Sequence, residues 1–433
     1  MLALWALLGC SPNEPPPPNL LLFVVDTLRA DAVGPYRTDP SRPSDTPHVD
    51  RLAREGILFE EAYSTSSWTR PAMASLLTGL QPRRHGVESR RASLEPAIPT
   101  LAEWLTTAGY DTALVTANPQ IGSFFGLTRG FGASFELYGR RSAGPVAGTE
   151  LIARGEEVAS RSIAWLETAR RPFALVALAV DPHAPYAPRE MDPSRAGDAR
   201  ERYQAEVRAA DAALGEILGV LERRGELART VILFTSDHGE EFGEYGRQGH
   251  GASLVDEGIR IPLVLRLPRS PGRAGVRVRE PVQLTDVAPT LLALAGITVD
   301  EELDGSDLLA PRAPGTAVRA SLVTPQGRLR AARAFPWKLV LGPDPGDRTL
   351  YDLRTGERTG VDLALTPGAA EAEARLFAAI ADAAAASEPA RAPRLPADLQ
   401  AALEALGYVS QDDTSSAAPD VDGKAGGAER SRF

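Results

Sequence analysis

Long apolar stretches that end abruptly on acidic or imidazole side chains punctuate this chain. NLLLFVVD runs from Asn19 to Asp26, PFALVALAVDPH leads to Asp181 and His183, and TVILFTSDH leads from Thr230 to Asp237 and His238. Apolar runs without polar alternation predict strands covered on both faces, as in parallel sheets. YDTALVTA, from Tyr110 to Ala117, and IPLVLRL, from Ile261 to Leu267, predict two more strands. Between the runs the apolar period lengthens to that of a helix. Thr46 as N-cap and Pro47 as first residue open a helix through Val49, Leu52 and Ala53 that stops at Gly56. Further helices are expected over Thr100 to Ala108, Glu150 to Arg170, Arg200 to Leu227 and Leu284 to Leu294. In the fourth of these, Ala209, Ala212, Leu214, Ile217 and Leu221 are expected to form the buried stripe, with Glu206 and Asp211 on the solvated face. Strands alternating with helices predict an α/β fold.

From about Asp304 the pattern changes. RAARAFPWKLVLG and TLYDLRTGE, joined by a turn through Pro343 to Asp347, predict an antiparallel hairpin region with Lys338 at its surface or rim. An Ala-rich helix from Ala369 to Ala386 and a short amphipathic helix from Leu395 to Val409 follow, and the polar tail from Gln411 to Phe433 reads as disordered. The segment from Gln120 to Gly144, rich in Gly, Phe and Arg, reads as irregular and as a candidate pocket wall. The expected division is a leader and Pro-rich spacer over 1–18, a catalytic unit over 19–303, a C-terminal subdomain over 304–410 and the tail over 411–433.

The chain has 433 residues, 43% hydrophobic and 24% charged, ample for a large core. A net charge of −10 excludes nucleic acid as a general partner, because no basic surface is available to release counterions. An anionic substrate would need local positive charge from arginine or metal, since Lys338 and Lys424 are the only lysines. At the start, the apolar MLALWALLGC ends on the only cysteine, Cys10, and Leu7-Leu8-Gly9-Cys10 resembles a bacterial lipobox. The expectation is an exported, envelope-located protein held at the membrane by lipid on Cys10, with Pro15 to Pro18 as a stiff spacer. The alternative is an incidental cysteine, because no basic residues precede the apolar stretch.

Candidate chemistry gathers at SSWTRPAMASLLTGLQPRRHG, from Ser66 to Gly86. Pro71 suits a first helical turn and Gly79 an exit, which puts Thr69 at the positive end of a helix, where tetrahedral oxyanions are favoured. A Thr N-cap and nothing more is the bland alternative. In open α/β sheets ligands bind beyond the carboxyl ends of strands, so Asp26, Asp237 and His238 are expected to converge there with Thr69. Two carboxylates, a neutral imidazole and a hydroxyl oxygen make a hard-to-borderline divalent metal site, which would lower the hydroxyl's pKa. His48 reads as a packing or surface residue, and His85, in the loop PRRHGV, as structural.

VVDTLRAD, TPHVDRLAREGILFEEAY, TRPAMASLLTG, DPHAPY and TSDHGEEFGEYGRQGHG…IRIPLV, in this order, resemble the sulfatase family of the alkaline-phosphatase superfamily, from Asn19 to LYDL at Leu350 to Leu353. The resemblance implies a mixed sheet flanked by helices with a small C-terminal α+β subdomain. It implies one divalent metal ion, Ca2+ by family habit with Mn2+, Mg2+ or Zn2+ as other candidates, held by Asp26, Thr69, Asp237 and His238. Thr69 would hold the nucleophile position and His183 would contact the transferred group, with His250 and Arg70 as further substrate-binding candidates and Arg70 a further catalytic one. A second metal on Asp181, His183 and His250 is the alternative, as in two-metal members of the superfamily.

The chain also departs from the family. Sulfatases carry Cys or Ser, converted to formylglycine, in a Cys/Ser-x-Pro-x-Arg signature, whereas the residues here are Thr69, Pro71 and Met73. Thr27 follows Asp26 where the calcium sulfatases have paired aspartates. Threonine is the nucleophile in the phosphodiesterase-like and lipoteichoic-acid-synthase-like branches of the superfamily. The resemblance therefore implies a metal-dependent hydrolase of sulfate or phosphate esters, acting on a small molecule, glycan or lipid. The alternatives are an envelope phosphoglycerol- or phosphoethanolamine-type transferase sharing the site, and a catalytically silent surface binding protein.

Overall fold

A computed structural model describes residues 16–37, 44–89, 92–139, 151–188, 198–268, 272–313, 315–344, 346–357, 360–381 and 395–408. The leader with Cys10, residues 140–150 and the tail from Gln411 lie outside these. No helix among the described residues is long and apolar enough to cross a membrane.

An eight-stranded sheet occupies the centre, in the order Val276–Val278, Ile57–Phe59, Leu263–Arg266, Thr230–Ser236, Asn19–Val25, Phe173–Ala179, Asp111–Thr116 and Ala133–Glu136. Only Leu263–Arg266 runs against the rest. The three longest apolar runs lie side by side and are buried at every position, as uninterrupted hydrophobicity requires. Their register pairs Val25 with both Ser236 and Ala179, so the residues that follow, Asp26, Asp237 and Val180, emerge at one edge of the sheet. The segment expected to be irregular contributes the edge strand Ala133–Glu136, paired with Ala113 to Thr116. The expected strand over 261–267 is split at Pro262, which has no N–H for a ladder. Arg260–Ile261 pairs instead with Ala62–Tyr63.

The helix Ala199–Arg223 buries Leu214, Ile217 and Leu221 of the expected stripe, but not its two alanines. Ala209 and Ala212 face solvent, and Tyr203, Val207, Ala210, Leu214, Ile217 and Leu221 face the core. Glu206 and Asp211 are buried as well, contrary to their assignment to the solvated face, because each serves a neighbouring element. Asp211 accepts from the N–H groups of His48 and Val49 at 3.1 and 2.9 Å, and so caps the helix Pro47–Glu55 from outside. Burial pushes its carboxyl up to about 6. The Thr46 hydroxyl, the expected cap, instead accepts from Gly34 N at 2.9 Å. Glu206 lies 3.7 Å from Arg154, and burial pushes it up to about 8.

The C-terminal sheet is antiparallel and has four strands, Val318–Thr324, Gly327–Ala334, Trp337–Leu341 and Arg348–Asp352. The first of these was not expected. Ala369–Ala381 covers this sheet with Ala372, Leu376 and Ile380. Lys338 is not at the rim: it is fully buried, with Nζ 2.9 Å from Asp256 and 2.8 Å from Glu357. Arg333 joins the cluster, 3.3 Å from Asp256 and 3.0 Å from Glu61. These ion pairs tie the small sheet to the short helix Asp256–Ile259 that leads into Arg260–Ile261. A buried ion paired on both sides is costly to strip of its counter-charge.

His85 is buried between Ser75 and Val87. Nδ1 accepts from Val87 N at 3.1 Å, so Nε2 carries the proton and donates to Ser75 Oγ at 3.0 Å. Burial lowers its pKa from 6.5 to about 3.

Lys338→Met is expected to lower unfolding stability by about 3–5 kcal/mol in urea titration, since it leaves Asp256 and Glu357 buried without their cation. His85 generates an acid-side effect. Between about pH 3 and 6.5 the unfolded chain binds a proton here that the folded chain refuses, so stability falls as pH drops through that window. Melting temperatures measured from pH 7 to 5 should fall less steeply in His85→Gln than in the parent chain.

Candidate active site

Thr69 is the first residue of the helix Thr69–Thr78, with Trp68 extended before it. The helix ends at Gly79, whose left-handed φ of 71° lets its N–H return to Ser75 O at 2.9 Å. The Thr69 side chain caps nothing. Its Oγ1 lies 3.1 Å from His238 Nε2 and 3.2 Å from the Tyr408 hydroxyl, and the residue is completely buried.

Asp26 and Asp237 meet because their strands are in register. Thr27, directly after Asp26, has a φ of 57°, a left-handed conformation that is strained for a β-branched residue by roughly 1–3 kcal/mol. The turn is held by Thr27 N donating to Asp237 Oδ1 at 3.2 Å and by Tyr203 donating to Thr27 O at 2.9 Å. Asp237 Oδ1 also accepts from His238 N at 2.7 Å, which leaves Oδ2 without a partner. Asp26 is divided in the same way. Its Oδ2 accepts from Asn118 Nδ2 and, at 3.3 Å, from the Tyr408 hydroxyl, and its Oδ1 is unpartnered.

The two orphaned oxygens lie 3.7 and 3.4 Å from His238 Nε2. His238 Nδ1 is 2.9 Å from Gly239 O, and a carbonyl can only accept, so the proton sits on Nδ1 and Nε2 presents its lone pair. Among the described residues, Asp26, Asp237 and His238 form the one group of converging acid and imidazole ligands. Burial, and then the charge of Asp237, holds the Asp26 carboxyl far above the usual carboxylate range. These donors fit a divalent cation, which would take the place of the proton that burial favours on Asp26: two bare carboxylate oxygens and an imidazole lone pair converge out of solvent.

His183 and His250 stand beside this group. The His250 ring is 4.6 Å from that of His238 and 4.9 Å from that of His183. His250 Nδ1 donates to Glu240 Oε1 at 2.9 Å, and Tyr186 donates to Glu240 Oε2 at 2.8 Å. His183 Nδ1 donates to Ala184 O at 2.8 Å, which leaves Nε2 as an unpartnered acceptor, and burial lowers its pKa to about 3. Arg70 is buried against the Phe125 ring, 3.3 Å from its centre, and donates to Ala92 O at 3.2 Å. Burial lowers its guanidinium to about 9.

Asp181 does not join His183 and His250 in a second metal group. Its Oδ1 accepts from Gly155 N at 3.0 Å and caps the helix Gly155–Leu166. His48 packs against Gly215 of the long helix, where a Cβ would lie 2.3 Å from its Nε2. Sequence reasoning missed Asn118, Glu240 and Tyr408. Asn118 was within reach of the reasoning that found Asp26, since it follows a buried strand at the same sheet edge. Glu240 stands two residues after His238 in a motif already singled out. Tyr408 carried no local signal, because it approaches Asp26 from 382 residues away.

A family model described as Sulfatase matches residues 18–297. The chain is 31% identical to the N-acetylgalactosamine-6-sulfatase of Canis lupus familiaris over 69% of its own length and 66% of the relative's. It is 27% identical to the ulvan-active sulfatase of Formosa agariphila, over 68% of this chain and 65% of that protein, so it spans less than two thirds of that relative. The solved phosphonate monoester hydrolase of Agrobacterium radiobacter shares the fold, with a TM-score of 0.69 at 23% identity over 84% of this chain and 94% of the other.

A divalent cation that binds the folded chain alone should raise stability by about 2.7 kcal/mol at a hundredfold excess over its Kd. Thermal melts with Ca2+, Mg2+, Mn2+ and Zn2+ would detect it. Asp237→Asn should lose the cation-dependent part of the shift, and a shift that survives in this variant would place the cation elsewhere.

Proposed function

The chain belongs to the sulfatase family, and from that membership we propose that it is a metal-dependent hydrolase of sulfate or phosphate esters with Thr69 as nucleophile. The observation that carries this reading is the Thr69 hydroxyl, buried at a helix start 3.1 Å from the lone pair of His238 and beside two half-unsatisfied carboxylates. Asp26, Asp237, His238 and Thr69 would hold the cation, whose ligands suit Ca2+, Mg2+ or Mn2+ with Zn2+ as the softer alternative. When bound, it would supply a charge that lowers the hydroxyl's pKa and offsets the negative charge developing on the transferred group.

The chain's own residues divide the remaining work. Thr69 Oγ1 forms the new bond to sulfur or phosphorus as the bond to the leaving alcohol breaks. The proton that Thr69 gives up would be taken by His250 Nε2, whose Nδ1–H is held by Glu240, and passed to that alcohol. His183, presenting an acceptor, would grip a hydroxyl of the substrate, or an anionic oxygen once it takes up a proton with the anion. Water then cleaves the Thr69 ester.

The absence of formylglycine chemistry favours phosphorus. A threonine sulfate has no second hydroxyl with which to expel sulfate, whereas water attack at phosphorus needs none.

Turnover of aryl sulfate, phosphomonoester, phosphodiester and phosphonate monoester probes ranks the substrates. Thr69→Ala should reduce kcat on the best of them at least about a thousandfold. Unchanged turnover in that variant would remove the nucleophile.

A further inference from the structure

The seat that a substrate must take is filled by the protein itself. The Tyr408 hydroxyl lies 3.2 Å from Thr69 Oγ1, 3.0 Å from Asn118 Nδ2 and 3.3 Å from Asp26 Oδ2. Its ring packs against Trp68 and His183, each at 5.1 Å, and against His250 at 6.1 Å. The nucleophile, a metal-facing carboxylate and both histidines of the candidate site therefore meet on one tyrosine, itself 1% exposed. An atom attacked by Thr69 must come within about 3–3.5 Å of Oγ1, the distance the phenol oxygen already takes. A tetrahedral group that approaches Oγ1 on the side the phenol holds would have to displace it.

We propose that the space under Tyr408 is the subsite for the transferred sulfuryl or phosphoryl group, and that the segment Ala397 to Tyr408 is an internal competitor the substrate displaces. This rests on the reading of Thr69 as nucleophile. The segment is built to let go. Its helix, Ala397–Ala405, has nine residues and no side-chain cap at its start, and helices of that length are marginal alone. It is held by the buried side chains Leu399, Ala402 and Leu403. Ala405 and Leu406 line a cavity shared with His183 and Arg154, so the helix borders open space on the side of the histidine.

Gly407 sets the delivery of the phenol. Its left-handed φ of 71° ends the helix, and the Tyr408 N–H returns to Leu403 O at 2.9 Å. A Cβ at Gly407 would meet nothing within 4 Å, so a side chain there strains the turn without touching the site.

A segment that fills the seat about nine-tenths of the time weakens apparent affinity about tenfold. The test measures tungstate, a tetrahedral oxyanion, by calorimetry on the full chain with cation present, alongside KM and kcat for the best ester probe. Tyr408→Ala and Gly407→Val should each bind tungstate about tenfold more tightly than the parent and lower KM by a similar factor. Unchanged or weaker tungstate binding in a folded Tyr408→Ala would overturn the proposal. So would a loss of kcat at constant KM, which would make Tyr408 a participant in the reaction. If Tyr408→Ala does not fold, Gly407→Val decides by the same two readouts. Thr69→Ala separates the two claims: retained turnover with tighter tungstate binding in the Tyr408 variant removes the nucleophile and keeps the competitor. Lost turnover with unaltered binding does the reverse.

Discussion

Two carboxylates brought face to face in a dry interior constrain the rest of this molecule. Asp26 and Asp237 each have one oxygen satisfied by N–H or O–H donors and one left bare towards His238. Without a positive charge between them, the arrangement carries the cost of burying unpaired like charges, which in an interior amounts to several kcal/mol. The fold sustains it by over-determining the geometry. Strand register sets the backbone positions, the Thr27 turn directs an N–H at one carboxylate, and Asn118 and Tyr408 hold the other. Groups pinned in this way lose little freedom when a cation arrives, so most of the attraction is available for binding.

The same economy of positions explains what the sequence could and could not disclose. An unbroken apolar run ending on a charged residue is informative because burial on both faces leaves only the strand end for chemistry. Asp26, Asp237 and His238 were legible for that reason, and Thr69 from the Pro71 and Gly79 that bracket its helix. Register was not legible. Burial of charge was the systematic miss. Glu206, Asp211 and Lys338 were assigned to solvent by a rule that holds for isolated helices and hairpins. Each is buried because it satisfies something in a distant element: Arg154, the start of the Pro47–Glu55 helix, and the Asp256–Glu357 pair. Periodicity reports which face of an element is covered, and contains no term for a partner in another element, 163 residues away for Asp211 and His48.

The C-terminal region acts on the site by two separate means. Lys338 and Arg333 anchor its sheet to Asp256 and Glu61, beside Arg260–Ile261, whose pairing with Ala62–Tyr63 precedes the Ser64 to Trp68 approach to Thr69. The small sheet thus stiffens the backbone that carries Thr69. The last helix is mounted differently. Its side chains share a cluster with Tyr63, Trp68 and Phe125, and its end carries Tyr408 into the site. Anchoring by buried ion pairs resists displacement because separation exposes an unpaired charge to a poor solvent. Anchoring by a few apolar side chains and a neutral phenol, whose bond to the Asp26 carboxyl is long at 3.3 Å, is exchanged for water at lower cost.

That difference bears on how Thr69 would serve as the nucleophile in the proposed reading, where sulfatases typically carry formylglycine. An ester at Thr69 must be opened by a water molecule, and the water needs a place beside the phosphorus or sulfur and a base to accept its proton. While Tyr408 is seated, Oγ1 is flanked by His238 Nε2 and the phenol oxygen, and the phenol would hold the place that this water needs. Once the phenol had left, His183 Nε2, an acceptor without a partner on a ring that packs against Tyr408, would border the vacated space, and Asn118 Nδ2 would be freed of one of its two bonds. One side chain's departure then opens room for the substrate and uncovers an acceptor for the proton released in the second step. A closed resting site and a threonine nucleophile are in this sense a single design, with the histidine protected from solvent until there is something to hydrolyse.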